Sequence, residues 1–376
     1  MRLGELLKIL DAIAPLRLAE SWDNVGLLLG DPEAKVRHVM TCLTVTPAVA
    51  QEAVENGVDL IVPHHPILFR GAKAIRADVP GTDVVWTLAK AGIAVASHHT
   101  GWDGARGGAN AFLAETLKLE NVVPMRPAGG PECVKFVVFV PDENLEAVRK
   151  AAFEAGAGHI GLYDECSYSH AGTGTFRGSF DANPAIGEVG RREEVAERRL
   201  ELICRKADRS RVMHAIRAAH MYEEPAVDVY PILDIATAAV EGVGRVGSAT
   251  NEASLRSLAE LAKAGLTSAA VQVATGLDRT VDDPVARVAL ACGAGDDLLD
   301  DALAVGADVL VSGELRYHTV CRAIQAGISL ILVGHHASER ASMEVMARKI
   351  KEAAPALDVR AASSEPEPLV NFENLR

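Results

Sequence analysis

The sequence predicts an α/β protein in which a layered domain with a mostly parallel sheet is interrupted by a smaller α+β insert. Short aliphatic runs alternate with stretches of helical spacing in both outer parts of the chain. A Pro/Gly-rich segment, PMRPAGGPE at residues 124–132, breaks that rhythm, and a different order of elements follows. The 376-residue chain is also 49% hydrophobic but only 4% aromatic, the profile of aliphatic sheet-and-helix packing, and it is too long for one ordinary core.

The elements follow in order. MRLGELLKILDAIAPL reads as an amphipathic helix, and Glu5, Lys8 and Asp11 inside it argue against a signal peptide. The stretch SWDNVG is loop chemistry, and Leu27-Leu28-Leu29 is a short strand closed by Gly30-Asp31. Residues 36–43 form the next strand. Thr46 caps a helix that has Pro47 at its first position and ends near Gly57. Residues 60–62 are a buried strand stopped by Pro63, residues 83–91 a helix, and residues 93–96 another strand. Gly107-Gly108 opens a helix with Leu113 and Leu117 on one face.

After the break the order is strand (135–140), helix (145–155), a Gly-rich stretch, strand (199–204), helix (210–219) and strand (227–230). Two strand-helix-strand halves of this size suggest a ferredoxin-like domain. Gly172-Thr173-Gly174-Thr175 and Asn183-Pro184 read as loops or hairpin turns, whose glycines could cradle an anion but serve more simply as turns, and His220 with Tyr222, Glu223 and Glu224 reads as a solvated helix end rather than a site in the insert. From about residue 235 the first pattern resumes: helix 253–264, strands 268–274 and 285–292, helix 296–305, strand 308–312, helix 314–326, strand 328–333 and a last helix. The division expected is 1–127 and 233–376 for the two halves of a metal-binding domain, with 128–232 inserted.

The metal-binding expectation comes from a repeated ending. Three aliphatic runs each finish in a histidine pair: His64-His65, His98-His99 and His335-His336. In an open α/β sheet ligands bind beyond the carboxyl ends of the strands, so parallel strands in one sheet would bring these imidazoles to one edge. Acidic partners follow two of the pairs. Asp103 lies four residues past His99 in a segment that Gly101 and Gly104 make a loop, and Glu339 lies one helical turn past His335. Imidazoles and carboxylates without thiolates suit zinc, iron, manganese or nickel. Two carboxylates among several histidines fit two divalent ions that activate a water. Glu314 and His318 share a predicted helix face and read as supporting partners, an acid/base pair or plain surface residues. Asp23 and Asn24 support the site or make a turn.

Composition narrows the function classes. Lysine plus arginine number 38 against 51 acidic residues, a net charge of -13, which disfavours a nucleic-acid partner. The six cysteines are scattered without a CxxC pair and read as buried small side chains in a reducing, cytoplasmic setting. No apolar segment reaches membrane-spanning length, and neither a GxSxG elbow nor a Walker A sequence occurs.

SWDNVGLLLGD, DLIVPHHPILF, ASHHTGWD, SGELRYH and GHHASE together resemble the GTP cyclohydrolase I type 2 homologues, toroidal proteins with a dinuclear metal centre. The resemblance implies that His64, His65, Asp103, His335 and Glu339 are metal ligands, with Glu339 bridging, and that His99 and His318 line the same cavity. It implies proton-transfer roles for His99, Glu314 or His318, and a homohexamer built as a trimer of dimers. The insert is similar to trimeric P-II-type signalling proteins. The family name implies a metal-dependent hydrolase opening a nucleotide purine ring with loss of formate. A metal-binding regulatory or scaffold protein whose insert senses a small ligand is the alternative. One departure is Thr44, where many members carry Asp, which puts a supporting role for that position in doubt.

Overall fold

The computed structural model describes residues 1–128, 133–160, 163–232, 240–250, 252–266, 268 and 270–369. The chain forms two compact units, Met1–Ala128 with Ala239–Arg376, and Gly129–Ala238. The domain boundary expected at 232–233 and the return of the first pattern near 235 touch residues 233–239, outside the described residues.

In the first unit the chain runs α1 (Leu3–Ile13), β1 (Gly26–Leu29), β2 (His38–Cys42), α2 (Pro47–Glu55), β3 (Leu60–Pro63), α3 (Asp83–Ala91), β4 (Ala94–Ser97), α4 (His99–Gly104), α5 (Ala109–Thr116), β5 (Glu120–Val123) and β6 (Arg126–Pro127). The local rules act as expected: the Thr46 hydroxyl accepts the Val49 N–H at 3.2 Å with Pro47 at the first position of α2. Gly92 closes α3 in the left-handed conformation at φ 71°. The segment His99–Gly104 is a short helix rather than a loop, and Arg126–Pro127 in the expected linker pairs with Gly242–Val243.

The second unit contains β7 (Cys133–Pro141), α6 (Leu145–Glu154), β8 (Ser167–Arg177), β9 (Arg192–Arg205), α7 (Arg209–Ala219) and β10 (Val227–Ile232). Its antiparallel sheet has the order β10-β7-β9-β8. Val134, Phe136, Val138 and Val140 alternate along β7 into a core with Val148, Val212 and Ile216 from the two helices. The Gly172–Thr175 stretch is not a turn but the middle of β8, paired residue for residue with β9. Glycine and threonine disguised the strand because their neighbours on β8 are mostly exposed, leaving no apolar alternation to read.

The first unit then continues with β11 (Gly242–Val243), β12 (Arg245–Ser248), α8 (Leu255–Gly265), β13 (Gln272–Ala274), β14 (Arg287–Ala294), α9 (Leu299–Ala304), β15 (Val309–Glu314), α10 (Tyr317–Gln325), β16 (Ser329–Leu332), α11 (His335–Glu339), α12 (Ser342–Ala353) and β17 (Asp358–Ala361). Instead of one mostly parallel sheet there are two mixed ones. The five-stranded sheet has the order β1-β4-β3-β2-β17, and the six-stranded sheet β13-β16-β15-β14-β12-β5. Each keeps a parallel run, β4-β3-β2-β17 and β16-β15-β14, with antiparallel β1 at one edge of the first sheet and antiparallel β13, β12 and β5 flanking the second. Both faces of the central strands are buried. Leu60 and Val62 of β3 pack with α1 and α12 residues, while Ile61 packs with α2 and α3. Val309 and Val311 of β15 face the α8 side, and Leu310 the α9 side. That two-sided burial is why these strands read as unbroken aliphatic runs.

Distant segments are tied into this unit by polar contacts. The Thr41 hydroxyl donates to the Met343 carbonyl at 2.7 Å, and Trp102 Nε1–H to Ser342 Oγ at 3.1 Å. Glu52 accepts the N–H and hydroxyl groups of both Ser363 and Ser364. Burial pushes the Glu52 carboxyl upward, but these hydrogen bonds outweigh it and hold the carboxyl down at about 2. A folded-state value below the unfolded one stabilises above the ordinary carboxylate range and is lost as pH falls toward 2. Glu52→Gln is therefore expected to lower the melting temperature at pH 7, with the gap to wild type narrowing as pH falls from about 4.5 toward 2. Thermal melts across that range check this, and a gap that stays constant would rule out Glu52 ionisation as its source.

Candidate metal centre

The three histidine pairs converge, but from two sheets. His64 and His65 follow β3, His98 and His99 follow β4 of the same sheet, and His335 and His336 follow β16 of the other. Four of the six face a common point. Ring centroids lie 5.1 Å apart for His64–His65, 5.0 Å for His64–His99, 5.6 Å for His65–His99 and 5.3 Å for His65–His335. Two groups bring ligand atoms within 4.8 Å of one another: His64, His65 and His99, and His65, His335 and Glu339. Asp103 on α4 joins at the edge, its Oδ1 3.6 Å from His64 Nε2. The other member of two pairs turns away. His98 Nδ1–H donates to the Ala14 carbonyl at 2.6 Å, and His336 sits 3.2 Å from the Glu367 carboxylate.

Glu339 lies at the centre. One oxygen is 3.2 Å from both His65 Nε2 and His335 Nε2, and the other 3.6 Å from His64 Nε2. None of these contacts is a well-aligned hydrogen bond: both ring nitrogens of His64 and Glu339 Oε2 are buried without a hydrogen-bond partner. Buried polar atoms left unbonded are costly and rare in folded proteins. Lone pairs of three imidazoles and two carboxylates aimed at one place are what a divalent cation needs, so the donor set fits a metal.

The electrostatics run the same way. Burial pushes the His64 imidazole down, but the Asp103 and Glu339 carboxylates overcome it and carry it up to about 9. The Glu339 carboxylate 3.2 Å away raises His335 to about 9 against its own burial. Burial lowers His65, and burial raises Asp103 despite His64 beside it. Glu339 is held well below the usual carboxylate range because the surrounding imidazoles outweigh its burial. A bound cation takes the place of the protons that otherwise balance these carboxylates.

A ring of contacts fixes the ligand side chains. With Nε2 turned to the cluster, His65 Nδ1–H donates to Thr44 Oγ1 at 2.8 Å, so Thr44 does take up a supporting role. His99 Nδ1–H donates to Asp23 Oδ1 at 2.9 Å, and the Thr100 hydroxyl holds the other Asp23 oxygen, which makes Asp23 a supporting residue rather than a simple turn former. The Cys292 thiol donates to Asp103 Oδ1 at 3.2 Å, and the Asn110 side chain donates to the Asp103 carbonyl at 3.2 Å. Gly293, at φ 63°, leaves the space in which a Cβ would stand 2.2 Å from Glu339 Oε1. Arg245, buried, donates to the carbonyls of Gly104 and Ala105 at the end of α4 and to Gly242 and Gly244.

Glu314 ends strand β15 instead of starting a helix, and its carboxylate is 3.1 Å from His335 Nδ1. His318, in α10, is exposed; its ring meets Tyr317, and it makes no hydrogen bond to the cluster among the described residues. Sequence reasoning gave no role to Trp22 and Phe69. Both are exposed, and their rings lie 6.2 and 6.3 Å from that of His99 and 5.9 Å from each other. Their one signal was the position of each, beside Asp23 and four residues past His65. A cavity of about 820 Å³ opens beside His65 and His335, with Glu314, His336 and Glu365 in its wall. Glu365 is fixed there by the Leu43 and Thr44 N–H groups and by Arg340.

Fold and site together define a mixed α/β protein of several sheets with a histidine–carboxylate cluster suited to divalent metal. The chain belongs to the DUF34/NIF3 (NGG1p interacting factor 3) family, whose model matches residues 1–368. A Mycobacterium tuberculosis protein named GTP cyclohydrolase 1 type 2 homolog is 41% identical over 346 residues, covering 90% of this chain and 88% of that one. A Bacillus subtilis protein of the same name is 37% identical over 346 residues, covering 92% and 91%. Among solved structures, a Bacillus cereus protein related to NIF3 is 33% identical with a TM-score of 0.71, and a Staphylococcus aureus protein 26% identical with a TM-score of 0.81. Each alignment covers 99% of both chains. No helix among the described residues is long and apolar enough to cross a membrane.

The Thr44 contact sets a measurable expectation. Thr44→Val removes the acceptor that orients His65 and should weaken zinc binding about 10-fold or more, by the usual cost of losing such a partner. Competition against a chromophoric chelator checks it, and unchanged affinity would show that His65 needs no such partner.

Proposed function

We propose that this protein is a dinuclear-metal-dependent hydrolase acting on a small planar substrate of the nucleotide class. The observation that carries this is that both ring nitrogens of His64 and Glu339 Oε2 are buried without a hydrogen-bond partner, with His65, His335 and Asp103 around them. His64, His65, Asp103, His335 and Glu339 are the residues that would hold the ions. Divalent ions held there would supply a water of lowered pKa and an electrophile for a substrate oxygen or ring atom.

The chain's own side chains have the remaining tasks. Trp22 and Phe69 form an aromatic wall beside His99 on which a flat heterocycle stacks. Glu314, exposed and bonded to His335, accepts a proton at its carboxylate, and His99, oriented by Asp23, passes one at Nε2. His318 receives no proton-transfer role in this reading. The names of the relatives point to GTP as the substrate to test first, with ring opening and release of formate as the reaction.

We further propose a homohexamer, a trimer of dimers, which light scattering at the mass of a hexamer checks. The second unit is proposed to be ferredoxin-like and similar to P-II-type proteins. The order β10-β7-β9-β8, with one helix after β7 and one after β9, supports that assignment.

Metal content of freshly purified protein is the test. About two transition-metal ions per chain are expected, lost together with any nucleotide hydrolysis in Asp103→Ala and Glu339→Ala. Turnover retained by metal-free protein would refute the reading.

A further inference from the structure

The second unit holds a cavity of about 400 Å³ that has no part in the histidine cluster. Its walls are the end of β8, the turn at residues 182–185 and the segment 222–226 before β10, with Glu197 of β9 inside. Glu197 is only 9% exposed. Its Oε1 accepts the Tyr222 hydroxyl at 3.0 Å, and no cationic side chain among the described residues lies within salt-bridge distance. His220, beside Tyr222, is committed elsewhere: Nε2–H donates to the Phe139 carbonyl at 3.0 Å, and Nδ1 accepts the Tyr222 N–H at 3.0 Å. That histidine is buried rather than a solvated helix end, and it supplies no balancing charge.

Gly174 explains how the carboxylate fits. A Cβ at that position would stand 2.1 Å from Glu197 Oε2, so the β8 glycine is the seat of the carboxylate. The glycines that could have cradled an anion here hold one of the protein's own. Glu223 and Glu224 line the same space, against the single guanidinium of Arg177. Phe176 and Tyr222 stand with ring centroids 5.9 Å apart at the same wall. A mostly buried carboxylate facing a cavity without a paired cation attracts positive charge, as do aromatic faces. No group of three metal-ligating atoms gathers here among the described residues, which turns the choice away from a bare ion.

We propose that this cavity binds small organic cations, ammonium or guanidinium compounds, with Glu197 as counter-ion and Phe176 and Tyr222 as aromatic walls. Its volume suits a ligand of amino-acid to nucleoside size. The site is independent of the metal centre and of any hydrolysis there.

The test is calorimetric titration of the full chain with agmatine, putrescine and arginine, and with inorganic phosphate as the anion control. Saturable binding of at least one cation and none of phosphate is expected. Glu197→Gln keeps an acceptor for Tyr222 and should weaken that binding about tenfold or more, with the metal content of the other unit unchanged. Arg177→Gln, an exposed substitution, should move affinity the opposite way by removing the opposing charge. A merely structural Glu197 would not produce that pair of opposite shifts. No cation binding by the wild-type chain, equal affinity in Glu197→Gln, or a stoichiometric divalent ion lost on that substitution would each overturn the proposal.

Discussion

A carboxylate and an imidazole shut away from water, with nothing aligned to bond them, constrain everything around the cluster. Glu339 Oε2 and both ring nitrogens of His64 are buried without a hydrogen-bond partner, and the other Glu339 oxygen stands 3.6 Å from His64 Nε2. The neighbourhood is shaped to tolerate this. Gly293 gives up its side chain so that the Glu339 carboxylate has room. Thr44 and Asp23 hold His65 and His99 from behind, leaving the other ring nitrogen of each to the cluster, and the Cys292 thiol holds the Asp103 oxygen that faces His64. Such a region is destabilising by itself, and the aliphatic sheets on either side must offset it.

That offset explains the architecture. Each sheet presents the carboxyl ends of its parallel centre to the site, and each is covered by apolar side chains on both faces. Arg245 serves as a rigid tie: its guanidinium is spent on four backbone carbonyls, with no carboxylate among the described residues within salt-bridge distance. Two of those carbonyls close the helix carrying Asp103. A lysine could not span them, because it has no planar fork of donors.

Much of the cluster was legible because its signal is local. A histidine pair after an aliphatic run, followed in two of the three cases by an acid four residues past a histidine, is readable without knowing what packs where, and His64, His65, His335 and Glu339 emerge from it. What the sequence left open is long-range. Sheet membership depends on pairing between residues hundreds of positions apart, so β16 could not be separated from β3 and β4 by pattern alone. Thr44 and Asp23 earn their roles only through partners 21 and 76 residues away. Strand β8 was hidden by polar and glycine residues that satisfy the ladder without showing alternation. Glu314 was misplaced by two or three residues, the usual uncertainty of an element boundary.

The pairing of β17 with β2 has a consequence for the chain while it is being made. Strand β2 borders β3 on one side and receives β17 on the other, yet every residue from 43 to 357 lies between them. At ordinary translation speed that interval is roughly 15–60 s, during which β2 stands at the ribosome as an uncapped edge with free backbone donors and acceptors. The second unit, complete in itself by residue 238, can fold within that interval. A nascent chain of this kind is a natural client for a holding chaperone, and slow codons placed after residue 238 would lengthen the exposure rather than shorten it.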